Sequence, residues 1–163
     1  MLTMKAKLTI AALTVSLLSS FAAYSYDINI GVSGNVVAPP CIINSGQPIV
    51  GDFGDSIVTS KIDGVKYTKT LNYSLVCDGR PSDSMKLKVL GEPTSFDGEL
   101  LKTSNHNLGI RMIMDSKSFS LNEWVNFSYT KQPILQAVPV KNDGSEIAGG
   151  VFTAGATLLV AYQ

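Results

Sequence analysis

Histidine is almost missing from this chain: His106, between Asn105 and Asn107, is the only one. A single imidazole cannot anchor a histidine-rich metal site, and its surroundings read as a solvated loop. Cysteine is nearly as scarce. Cys41 and Cys77 form one widely separated pair, with no CxxC spacing and no second ligand cluster, which argues against a redox or metal role. Neither sign of charge dominates, with 13 basic and 13 acidic residues, so no surplus draws nucleic acid or an anionic membrane. No apolar run reaches the 18 or so residues of a spanning helix. There is no GxxxxGK[ST] phosphate loop, no GxSxG nucleophile elbow, and no helical stripe beyond the first 25 residues.

Catalytic candidates are equally thin. Asp52 and Asp55 flank Phe53-Gly54, and Asp78, Asp83 and Glu92 fall in turn-rich stretches. Turns recruit aspartate in any case, and nothing marks two of these as a general acid and base. Asn72-Tyr73-Ser74 and Asn126-Phe127-Ser128 match the glycosylation triplet, but both lie inside predicted strands and read as chance. The expectation is a non-enzymatic protein with no cofactor and no metal.

What is present begins with an export signal. Lys5 and Lys7 precede an uncharged, largely apolar stretch over residues 8–23. A basic start, a short apolar run and small residues at its end read as a secretory signal peptide spanning residues 1–25. Cleavage after Ser25, with Ala23 at −3, is expected; cleavage after Ala22 is the rival. The mature chain then has 138 residues, one domain's worth, with 11 basic against 13 acidic side chains. Export also fixes the reading of the cysteines. In an oxidising compartment an isolated pair forms a disulfide, here Cys41–Cys77. Closing a loop of that length stabilises by roughly 4 kcal/mol on the chain-entropy estimate.

The mature sequence alternates throughout. Over residues 27–37, Ile28, Ile30, Val32, Gly34 and Val36 share one face, until Pro39-Pro40 ends the pattern. Short strands are expected at 41–43, 48–55, 67–77, 85–90, 108–114, 122–129, 133–140 and 149–163, separated by Gly, Pro and Asn turns. Residues 57–65 and 91–107 read as polar or turn-rich. The last strand presents Phe152, Ala154, Ala156, Leu158, Val160 and Tyr162 on one side. Such a pattern predicts an all-β sandwich. The Cys…Trp…Cys order of an antibody domain is missing, because Trp124 follows both cysteines. Periodicity leaves the first alternating segment open: it is either the first strand of its own sandwich or an arm that completes another molecule's sheet.

The stretch from Ile30 through Gly34, Val36 and Pro39-Pro40-Cys41-Ile42-Ile43 resembles the start of a pilus subunit of the chaperone–usher pathway. The distance to Cys77, and the Gly149-Gly150 start and penultimate Tyr162 of the last segment, are similar to that family as well. The resemblance covers essentially the whole mature chain. Asn44-Ser45-Gly46-Gln47 and Asp52-Phe53-Gly54 resemble in particular the minor tip adaptors of P-type pili. It implies an incomplete immunoglobulin-like β-sandwich, the pilin fold, completed by a donated strand. The division it implies is a signal peptide at 1–25, a donor-strand extension at 26–38 and a pilin domain at 39–163. Ile28, Ile30, Val32, Gly34 and Val36 would be donated to a neighbour, with Gly34 at a shallow point of that neighbour's groove. Phe152, Ala154, Ala156, Leu158, Val160 and Tyr162 would line this chain's own groove and meet a chaperone. Implied partners are a periplasmic pilus chaperone, an outer-membrane usher and neighbouring subunits including an adhesin, with no nucleic acid. The route is through the periplasm to an extracellular fimbrium.

Two rival functions remain at this stage. One is a main-shaft pilin of the same fold. The other is a carbohydrate-binding sandwich, in which Trp124, Tyr67, Tyr73 and Tyr129 stack on sugars.

Overall fold

The computed structural model describes Tyr26 and residues 28–163; the expected signal peptide and Asp27 lie outside the described residues. The chain divides into two units, Met1–Val36 and Val37–Gln163. In the first, residues 28–36 form neither strand nor helix, and Ile28, Ile30, Val32 and Val36 are exposed. An alternating sequence becomes a strand only when another strand receives its N–H and C=O groups.

The second unit is all β. Its strands are β1 (Ile42–Ile43), β2 (Lys69–Leu71), β3 (Leu75–Val76), β4 (Ser84–Leu90), β5 (Leu101–Lys102), β6 (Leu108–Met114), β7 (Lys117–Ser118), β8 (Val125–Ser128), β9 (Leu135–Lys141) and β10 (Thr157–Tyr162). One sheet runs β10-β4-β8; another runs β2-β9-β6-β5, with β7 also on β6; β1 and β3 pair separately. Every pairing is antiparallel.

The two larger sheets close on a common core. Val89 of β4 meets Leu101, Ile110, Met112 and Ala137 from the opposite sheet, together with Leu121. A second cluster gathers Leu75, Cys77 and Met85 beneath Tyr73, Phe127, Tyr129, Val160 and Tyr162. The alternation of β4 explains its place between β10 and β8. Met85, Leu87 and Val89 are buried, while Lys86 and Lys88 face outward. Pro139 sits inside β9 without breaking it, because β2 ends at the Lys69–Ala137 pair and leaves that flank open.

The clearest difference from the sequence reading lies at residues 67–77, expected as one strand. The chain changes sheets there. β2 pairs with β9, whereas β3 pairs with β1. Leu71, Tyr73, Leu75 and Cys77 keep facing inward across the break, so alternation reports the face and not the partner. Residues 48–55 form no strand, and the last strand is confined to Thr157–Tyr162. The polar stretch at 57–65 contains a 3-10 turn, Thr59–Lys61, that delivers Ile62 to the interior at 2% exposure. β5 and β7 are two-residue strands within segments that carry no strand signal. Cys41 and Cys77 are joined in a disulfide.

Candidate functional site

A groove of about 650 Å³ opens in the second unit. Its floor is the core itself: Leu71, Val89, Leu101, Ile110, Met112 and Ala137 come from both large sheets. Residues 46–51 and Phe53 form one wall. Phe152 to Ala154 and Ala156 to Leu158 form the other. Phe53 and Phe152 reach across, with ring centroids 5.9 Å apart, and tie the walls together at one place.

Neither wall has a full set of hydrogen-bond partners. β10 pairs with β4 on one flank, and among the described residues no strand pairs with the other. Residues 48–53 make no backbone–backbone hydrogen bond among the described residues. Asn44 secures the start of that segment by donating its side-chain amide to the carbonyls of Gln47 and Pro48, each at 3.0 Å. Just ahead of β10 the chain is latched at Thr153. The Ser104 N–H donates to the Thr153 carbonyl at 2.9 Å, and the Thr153 N–H donates to Ser104 Oγ at 3.0 Å. An apolar floor between two rims of open backbone has the chemistry of a vacant strand position. An extended segment with alternating apolar residues would satisfy both the floor and the rims.

The six residues predicted for the last strand do not all behave alike. Phe152 and Leu158 pack on the first cluster, and Val160 and Tyr162 on the second. Ala154 and Ala156 line the groove from exposed positions. Gly34 has no atom within 4 Å of where a Cβ would stand, so nothing in its own surroundings requires glycine. Residues 48–55, expected as a short strand, are instead the wall of the groove, unpaired among the described residues. At Gly51 a Cβ would lie 2.8 Å from Leu71 Cδ2, a close approach of backbone to floor.

Of the aromatic residues weighed for sugar stacking, Tyr73 and Tyr129 pack on the second core cluster. The Tyr73 hydroxyl donates to the Pro133 carbonyl at 2.8 Å, and burial, helped by the charge of Asp115, pushes its pKa up to about 12. Tyr129 donates to the Leu75 carbonyl and carries Arg80 on its ring at 4.1 Å. Tyr67 accepts the Val58 N–H. Trp124, 42% exposed, stands alone beneath the ammonium groups of Lys86 and Lys88. Four of the carboxylates serve their own loops: Asp52 accepts the Gly54 N–H, Asp55 accepts the Ser56 hydroxyl, Asp83 holds Arg80, and Glu92 pairs with Lys102.

Comparison with known proteins follows this geometry. The family model described as Fimbrial protein matches residues 30–163. The chain belongs to the fimbrial protein family. This fimbrial subunit is 34% identical over 158 residues to the fimbrial-like protein YfcQ of Escherichia coli strain K12, covering 93% of this chain and 97% of that one. It is 30% identical over 166 residues to the fimbrial adapter PapF of Escherichia coli, covering 93% and 98%. A solved structure of the P pilus adaptor subunit PapF superposes with a TM-score of 0.57 at 30% identity, over 79% of this chain and all of that one. The fold is thus the immunoglobulin-like pilin fold, and the chain is a fimbrial subunit similar to minor, adaptor-type subunits.

Proposed function

We propose that this subunit is a minor, adaptor-type component of a chaperone–usher pilus, linking two neighbours by strand donation in both directions. The observation that carries the reading is the groove: an apolar floor drawn from both sheets, with open backbone along β10 and along residues 48–53. A donated strand would occupy it. The complementary part is the segment 26–38, in which Ile28, Ile30, Val32 and Val36 are exposed and unsupported by any strand. Inserted in a neighbour's groove, four such side chains contribute on the order of 6–12 kcal/mol before the costs of ordering. Similarity to PapF, an adapter by name, favours a joining role. On this reading a periplasmic chaperone covers the groove first, an outer-membrane usher exchanges it for a neighbour's arm, and the assembled subunit is extracellular.

Two measurements test the proposal. A synthetic peptide of residues 26–38 serves as a donor-strand probe for grooves of this type, including this chain's own, and should protect the β10 amides from exchange. Deleting residues 26–36 should leave a disulfide-bonded body that still copurifies with a chaperone and no longer retains the neighbouring subunit. If the deletion unfolds the body with chaperone present, the segment is part of its own sandwich and the linking function falls.

A further inference from the structure

We propose that Tyr162 is a positioning residue that fixes where the donor arm leaves the body, by tying the root of the arm to the strand that rims the groove. The inference rests on the donor role given above to residues 26–38. Tyr162 ends β10, paired with Met85 of β4. The next residue pins that end: the Gln163 N–H donates to the Ser84 carbonyl at 3.1 Å and its side-chain amide to the Met85 carbonyl at 2.9 Å. The Tyr162 ring packs on the cluster of Leu75, Cys77 and Met85. Its hydroxyl donates to the Pro39 carbonyl at 2.9 Å and lies 3.7 Å from Cys41 Sγ.

Pro39 is also held from another direction. A Cβ at Gly79 would stand 3.5 Å from Pro39 Cγ, so the proline ring lies against that glycine, whose φ is +67°. Proline at 39 and 40 fixes φ at both positions and confines Ala38 and Pro39 to extended backbone. The Cys41–Cys77 bond anchors the next residue. One carbonyl therefore receives a hydrogen bond from the acceptor strand at the point where two prolines remove the freedom to bend. A phenylalanine would fill the same space in the cluster. What it would lack is the one atom that reaches Pro39. The root of the arm at Pro39 is thereby tied to the strand that rims the groove.

The test uses the mature chain and its Tyr162→Phe variant, with and without the 26–38 peptide. Backbone order parameters at Val37 and Ala38 should fall from about 0.85 toward or below about 0.6, with residues 84–90 unchanged. The Pro39 carbonyl carbon resonance should move upfield. Peptide affinity should stay within twofold, while the angle between joined subunits, read by electron microscopy, should spread at least twofold more widely. Unchanged order at Ala38 together with an unchanged Pro39 resonance overturns the proposal. Should the variant fail to accumulate, the unaltered chain still decides. A slowly exchanging Tyr162 hydroxyl proton near Pro39 supports the tie, and its absence overturns it. Failure of the unaltered chain to bind peptide, with the tie intact, counts against the acceptor reading and leaves the anchorage standing.

Discussion

Single residues carry two sharply different kinds of constraint here. At Gly109 on β6 a Cβ would stand 2.8 Å from both Leu100 Cβ and Thr94 Cγ2, because the 94–100 loop lies directly on the strand. Gly109→Ala should destabilise by about 1–3 kcal/mol, measured as a shift in the denaturant midpoint at unchanged slope. At Gly34 the surroundings are empty. Gly34→Leu should leave the melting temperature of its own body unchanged and slow insertion of the arm into a neighbour; equal rates for the two sequences would remove the reason offered for that glycine. Tyr73 adds a pH signature. The unfolded chain loses this proton near its ordinary value of about 10, whereas the folded chain holds it to about 12. Between those values the unfolded state binds fewer protons, so stability falls as pH rises. The loss is about 1–2 kcal/mol once the partial exposure of the group is allowed for. In Tyr73→Phe the stability curve should be flatter from pH 10 to 12.

At the level of elements, legibility followed the number of partners a segment has. β4 and β6 are long and paired on both flanks, β4 alternates cleanly, and periodicity located each within a residue. The 67–77 segment alternates equally well, yet it divides between two sheets, because a one-dimensional pattern encodes an inward face and says nothing about which strand lies beside it. Residues 48–53 and 28–36 show the opposite case. Both carry strand-like sequence and neither forms a strand: among the described residues no strand pairs with either. The groove was legible only in part. The last strand announced one wall by its alternation, while the other wall and the Ser104–Thr153 latch depend on contacts between distant segments. Leu158 lies on β10, lines the groove and packs on the first cluster. Leu158→Asp should weaken binding of the 26–38 peptide by about 100-fold or more, because a carboxylate facing an apolar strand costs several kcal/mol. Unaltered affinity in fluorescence anisotropy, with a native circular dichroism spectrum, would place the binding strand elsewhere.

Across the whole molecule the disulfide matters more for how force travels than for how the chain folds. Replacing both Cys41 and Cys77 by alanine should cost about 2–5 kcal/mol, seen by chemical denaturation. The larger consequence is mechanical. On the donor reading proposed above, tension on the arm meets the Pro39–Tyr162 contact and then Cys41, whose covalent bond carries it to Cys77, 36 residues further along the chain. From there it continues toward β4, which is hydrogen-bonded to β10 along its length. The intervening loop is bypassed by that covalent bond, so tension on the arm alone does not extend it. On that reading, a pulled fibre strains its linkages without extending the 41–77 loop. In single-molecule pulling from the arm, reduction should bring that loop into the load path and release about 120 Å of additional contour length.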